Sequence, residues 1–213
     1  MESMIQSTGT TTLAFKWRDG VIIATDRRAT MDTMISSKTI SKLHKITDHI
    51  AMTIAGGVGD SQHMVKVLQA ESSIFFFKNG YEMTVGAVAT LLANILNQTK
   101  FYPEYTFPII AGVDGSGPNV YSVDPAGGAE KDDFISVGSG SPYVYGVMED
   151  RYKSTDLTRD EALELAVRSL CSALKRDSAT GNGIDVVAIT QKEFYKWPDK
   201  DVNKLASKYG VNF

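Results

Sequence analysis

The order of strand-like and helix-like segments in this 213-residue chain predicts an α+β fold, a four-layer αββα sandwich of two antiparallel sheets flanked by helix pairs. Three observations carry that prediction. The β-rich stretches come in runs broken by tight turns, the helical stretches come in consecutive pairs, and pairs alternate with runs. Single helices between strands would point instead to a doubly wound parallel sheet. A chain of this length is one domain with room for a substantial core, and no linker or low-complexity tract divides it.

Thr11–Trp17 (TTLAFKW) and Val21–Asp26 (VIIATD) are β-rich and flank Asp19-Gly20, a hairpin signal. Leu43–Thr47 and Ile50–Ala55 form a second pair around Asp48-His49. Two helices follow: one capped by Asp60 or Ser61 and running to about Phe77, the next spanning about Met83–Gln98. Gly, Pro and Asp turns then set off strands near Pro108–Asp114, Asn119–Asp124 and Asp133–Val137. Ser141-Pro142 reads as an N-cap followed by proline at the first helical position, opening a helix to about Tyr152. Thr158–Glu161 (TRDE) is a capping box, and Leu163, Val167, Leu170, Cys171 and Leu174 share one face of the helix it opens. Ile184–Thr190 reads as a buried strand, Glu193–Trp197 as a last strand, and a short helix ends the chain. Ile74–Phe77 (IFFF) and Tyr143–Tyr145 read as core or subunit contacts.

Composition excludes several classes of function. With 22 Lys and Arg against 25 Asp and Glu, the net charge is −3, and no basic run offers a phosphate-backbone surface, so no nucleic-acid partner is expected. Met1–Gly9 lacks the basic and apolar regions of a secretory signal. Val85–Leu96, interrupted by Thr90 and Asn94, falls short of the roughly 20 residues of a membrane span, so no membrane partner and a cytoplasmic location are expected. Cys171 is the only cysteine, which rules out an intrachain disulfide and any multi-cysteine metal site. On its apolar helix face it reads as an inert core thiol. His44, His49 and His63 stand at no metal-binding spacing, so neither metal nor cofactor is expected. Walker A, strand-to-helix GxGxxG and GxSxG motifs are all missing.

Taken singly, the remaining signals are ordinary. The threonine run at Thr10–Thr12 is β-propensity, Asp26 and Lys42 are strand-end charges, and Ser139 within GSGS (Gly138–Ser141) is a turn entering a helix. Together they are specific. GTTTLAF (Gly9–Phe15), TDRRAT (Thr25–Thr30), Lys42, AGGVGD (Ala55–Asp60), GSGSPYVYGV (Gly138–Val147) and RDSATGNGID (Arg176–Asp185) occur in one order across nearly the whole chain. In this the chain resembles the archaeal β subunits of the 20S proteasome, a family of N-terminal-nucleophile (Ntn) hydrolases whose fold is the αββα sandwich.

The resemblance implies a threonine endopeptidase. Met1–Gly9 would be a propeptide removed by self-cleavage at Gly9–Thr10, leaving Thr10–Phe213 as a single domain with Thr10 as nucleophile. A threonine hydroxyl needs a base beside it. A free α-amino group, with an ordinary pKa of about 7.7–8, serves near neutral pH, whereas the precursor's amide nitrogen does not. Asp26 and Lys42 would be the charged partners of Thr10. Ser139, Asp177 and Thr180 would bind the new amino terminus, with Thr180 standing where the family usually has serine. The Gly56 amide would be the oxyanion donor. Substrate would add as a strand near Thr30 and Gly56, with Ala29, Ile40, Ile54 and Val58 lining an apolar pocket that favours cleavage after hydrophobic side chains. Lys42 and His44 lie near that pocket in sequence. Implied partners are proteasome α subunits and other β subunits in stacked heptameric rings, unfolded protein substrates, and a regulatory ATPase engaged through the α ring. The alternative reading is an unprocessed structural β subunit supporting an active paralogue.

Overall fold

A computed structural model describes residues 9–31 and 33–213, without the side chains of Val58 and Asp60. Met1–Thr8, nearly all of the expected propeptide, lie outside the described residues. In chain order the first half holds β1 (Thr11–Trp17), β2 (Gly20–Asp26), β3 (Ala29–Met31), β4 (Met34–Ser37), β5 (Leu43–Lys45), β6 (Ile50–Thr53), α1 (Val58–Asn79) and α2 (Val85–Gln98). The second half holds β7 (Ile109–Asp114), β8 (Gly117–Val123), β9 (Ala129–Asp132), β10 (Phe134–Gly138), α3 (Ser141–Arg151), α4 (Arg159–Leu174), β11 (Ile184–Thr190), β12 (Phe194–Lys196) and α5 (Asp199–Lys208).

Two five-stranded antiparallel sheets result, ordered β10-β1-β2-β11-β12 and β5-β6-β7-β8-β9, with β3 and β4 as a separate small hairpin. The period-2 alternation of strand side chains builds the layers. On β1, Leu13, Phe15 and Trp17 face the cluster shared with α3, α4 and α5, while Ala14 faces the other sheet. On β2, Ile22 and Ala24 face the helices, and Val21 and Ile23 meet Ile109, Ala111 and Val120 between the sheets. Met52, Ile54 and Ile110 pack under α1 and α2 with Leu68, Val88 and Leu92. Each fully buried Leu, Ile or Phe contributes about 1.5–3 kcal/mol, so these three clusters are what hold the layers in register. The fold is the expected αββα sandwich, with α5 added to one helix layer.

Several boundaries depart from the sequence reading. α1 starts at Val58 behind Gly57, not behind Asp60 or Ser61; Ser61 is buried and its hydroxyl pairs with Thr106 Oγ1 at 2.9 Å, so it caps nothing. α3 takes Gly140, not Ser141, as its N-cap. Gly140 lies where a Cβ would come within 2.1 Å of Thr11 Oγ1 and 2.8 Å of Ala173 Cβ, which leaves no room for a capping side chain. The β3–β4 hairpin and β9 had no sequence signal; all four residues of β9 are exposed and three are charged, as suits a sheet edge. The Ile74–Phe77 run is not core: Phe77 is 85% exposed, and Ile74 and Phe76 are exposed beside it. Tyr143 and Tyr145 are likewise exposed, with Val144 buried between them.

Candidate active site

Strand register brings distant residues to the N-terminal end of β1. Thr11 lies opposite Gly138, Thr12 opposite Thr25, and Ile184 opposite Asp26. Thr10, Asp26, Ser139 and the 177–183 loop therefore meet at one end of the first sheet. Lys42 arrives from the segment preceding β5, where its carbonyl accepts the Ile54 N–H at 2.8 Å.

Asp26 is fully buried and fully satisfied. Its Oδ1 accepts the Thr11 N–H at 3.0 Å and the Lys42 ammonium at 2.6 Å. Its Oδ2 accepts the N–H groups of Arg28 and Gly181, each at 3.0 Å. Four donors around one carboxylate offset the cost of burying it. Lys42 is buried too, and burial lowers its pKa below the ordinary lysine value against the opposing pull of Asp26. The pair thus presents a desolvated cation whose proton is held less firmly than a surface lysine's.

A second chain of hydrogen bonds reaches the backbone of Thr10. The Thr10 N–H donates to Ser139 Oγ at 3.3 Å, and Ser139 Oγ lies 2.6 Å from Asp177 Oδ2. Ser139 also lies 3.3 Å from the Thr10 carbonyl, but a hydroxyl has one proton, and the shorter contact to a carboxylate claims it. Thr180 donates to the same Oδ2 at 2.5 Å, and the Ala179 N–H donates to Oδ1 at 3.1 Å. The hydroxyl of Thr180 thus makes a contact to Asp177. Arg28, unnoticed beyond its place in TDRRAT, ties this loop down: it donates to Asn182 Oδ1 at 2.8 Å and to the Ser178 carbonyl at 2.6 Å.

The Thr10 hydroxyl donates to the Gly9 carbonyl at 2.8 Å. Gly9 is held by its own N–H, which donates to Thr30 Oγ1 at 2.9 Å. A Cβ at Gly9 would fall 1.7 Å from Ala179 Cβ and 2.9 Å from its Cα, so only glycine fits this junction. Gly56 has φ of +108°, and a Cβ there would lie 2.2 Å from the Tyr105 carbonyl oxygen. Its backbone is fixed by a bridge to Thr106 and by the neighbouring Gly57 N–H, which donates to the Tyr105 carbonyl at 2.7 Å.

A cavity of about 250 Å³ opens over these residues. Gly9, Thr10, Ala29, Thr30, Ile40, Lys42, Ile54 and Gly56 line it, joined by Met31, Ser36 and Gly57, which sequence reasoning did not single out. The Val58 side chain, expected here, lies outside the described residues. His44 does not line this cavity; it is half-buried, and burial lowers its pKa. Lys42 is therefore the charged side chain of the lining. Cys171 is buried in the cluster under α4, where burial pushes its thiol up to about 11. Among the described residues, no cluster of His, Cys, Asp and Glu could hold a metal ion, and no helix is long and apolar enough to cross a membrane.

Comparison with known proteins identifies the family of the chain. The Proteasome subunit family model matches residues 6–189. "Proteasome subunit beta" of Methanocorpusculum labreanum is 52% identical over 196 residues, covering 92% of each chain. The protein of the same name from Ferroglobus placidus is 47% identical over 201 residues, covering 94% of this chain and 95% of its own. That from Archaeoglobus fulgidus is 45% identical over 202 residues, covering 94% of each. With a family match over most of its length and relatives named β subunits that it matches over more than nine-tenths of each chain, this chain belongs to the proteasome subunit family.

Proposed function

We propose that this chain is a catalytic proteasome β subunit, a threonine endopeptidase that matures by cutting its own Gly9–Thr10 bond. The observation that carries the proposal is the pair of hydrogen-bonded groups gathered at Thr10 and its neighbour Thr11. One leads from the Thr10 nitrogen through Ser139 to Asp177; the other is the buried Lys42–Asp26 pair, in which Asp26 accepts the Thr11 N–H and Lys42 lines the same cavity as Thr10.

In the precursor, the Thr10 hydroxyl attacks the Gly9 carbonyl carbon. The acyl group moves from nitrogen to oxygen, and water hydrolyses the resulting ester. Met1–Gly9 leaves with a new carboxylate, and Thr10 keeps a free α-amine. That amine then takes the hydroxyl proton as Thr10 attacks a substrate carbonyl. The Lys42 charge favours the alkoxide and disfavours a protonated amine. The Gly56 N–H stabilises the oxyanion, a contribution of about 3 kcal/mol for a preorganised donor. The amine returns the proton to the leaving group and later draws one from the water that hydrolyses the acyl-enzyme.

Ala29, Met31, Ile40 and Ile54 give the cavity apolar walls that suit a hydrophobic side chain before the cut bond, and a charged one would lose hydration there. The working form is a particle built with proteasome α subunits and further β subunits, in the cytoplasm, acting on unfolded chains delivered through the α ring by an ATPase activator. The test is peptide hydrolysis by particles assembled with Thr10→Ala. Activity is expected to vanish while assembly persists; undiminished activity from this subunit's site would refute the assignment.

A further inference from the structure

The buried hydroxyl of Thr11 has a partner that the catalytic scheme above does not use. Thr11 Oγ1 lies 2.6 Å from Thr180 Oγ1, and both residues are almost wholly buried. Proton accounting fixes the direction. Asp177, as a carboxylate, only accepts, and it takes the single hydroxyl proton of Thr180 at 2.5 Å. Thr180 has no second proton to offer, so Thr11 is the donor between them. Gly140 closes the third side, since a Cβ there would lie 2.1 Å from Thr11 Oγ1 and 3.1 Å from Thr180 Oγ1.

Resting on the proposed protease function, we propose that Thr11 is a positioning residue for the nucleophile beside it. Its donated proton leaves Thr180 only the carboxylate as acceptor. Thr180 and Ser139 then both donate to Asp177 Oδ2, and Ser139 keeps a lone pair for the nitrogen of Thr10. The β-branched Thr180 holds few χ1 rotamers, so the Thr11 contact selects one of them. Thr11 also gives its N–H to Asp26. A single residue thereby touches both groups, the chain that reaches the Thr10 nitrogen and the Asp26–Lys42 pair. The wholly buried side chain stands apart from the substrate cavity, so its loss acts on turnover and spares binding.

Full particles carrying Thr11→Val, Thr11→Ser, Thr180→Ala and the Thr11→Val/Thr180→Ala pair test this, with activity normalised to subunits that intact mass shows to be processed. Thr11→Val, which keeps shape and removes the hydroxyl, is expected to lower kcat roughly five- to tenfold with KM unchanged, the scale of one hydrogen bond. Thr11→Ser is expected to restore most of the loss, and Thr11→Val to add nothing once Thr180→Ala is present. Equal losses for valine and serine, a rise in KM in place of the fall in kcat, or full additivity in the pair would overturn the proposal. Should Thr11→Val fail to assemble, Thr11→Ser and Thr180→Ala still decide it: unimpaired kcat in Thr180→Ala removes the relay through which Thr11 acts. Processed, active wild-type particles that fail these comparisons leave the protease assignment standing. Wild-type subunits that stay unprocessed and inactive overturn both.

Discussion

At Gly9 the side chain of Ala179 leaves no room for a methyl group. The neighbour that would obstruct a larger residue is thus Ala179, distant along the chain from Thr10. Gly9→Ala is therefore expected to displace the junction and slow removal of Met1–Gly9 by roughly a hundredfold, the cost of misplacing a reacting atom by about an ångström. Intact-mass measurement over time checks this, and processing at the wild-type rate would contradict it. Residue-scale legibility is uneven for a physical reason. Asp26 and Lys42 stand out through their motif, but nothing in sequence says that one carboxylate gathers Thr11, Lys42, Arg28 and Gly181. Apart from the bond from Arg28, two residues on, they join residues that only the tertiary fold brings together. Met31 and Ser36 escaped notice because they belong to a short, exposed hairpin without apolar alternation.

Elements were most legible where a local interaction sets them. The hairpin expected at Asp19-Gly20 does join β1 to β2, though its two turn residues are Arg18 and Asp19 and Gly20 already pairs with Trp17. At α4, Thr158 Oγ1 accepts the Glu161 N–H at 3.3 Å, and Glu161 accepts the Thr158 N–H at 2.8 Å, a reciprocal box readable from TRDE alone. Thr158→Ala is expected to cost about 1 kcal/mol, read as a lower denaturation midpoint at constant m-value. An unchanged midpoint would show that α4 is held by its packing on β1 and β2 alone. Elements set by tertiary contact were not legible. Ser61 has the chemistry of a cap but turns inward to Thr106, and β9 forms from AEKD only because β8 offers it an edge.

The layers of the whole molecule are also tied by charge. Asp185 on β11 accepts from Arg27, which follows β2, and pairs with Lys196 at the end of β12; Arg27 also grips Asp199 at the start of α5. Burial works to raise the Asp185 pKa, but the hydrogen bonds from Arg27 and Lys196 prevail and hold it below the ordinary 3.8. A carboxyl depressed in the fold stabilises above its unfolded pKa and loses that contribution as pH falls through the folded value. Asp185→Asn is accordingly expected to unfold more easily than wild type at pH 6, with the gap closing below pH 3.8; a gap that stays constant with pH would contradict the linkage. At this scale the layered fold was legible because strand runs and helix pairs alternate. What covers Phe76 and Phe77 was not, since a run of aromatics carries no mark of whether its own chain or another buries it.

The central claim is that Thr10 becomes a free N-terminal nucleophile, and intact mass of this subunit within an assembled, active particle tests it most directly. The account predicts a subunit beginning at Thr10 in the wild type and a full-length subunit, without peptide hydrolysis at this site, in Thr10→Ala. A wild-type subunit that retains Met1–Gly9 inside a fully assembled, active particle would contradict it and identify the chain as a structural member of its ring.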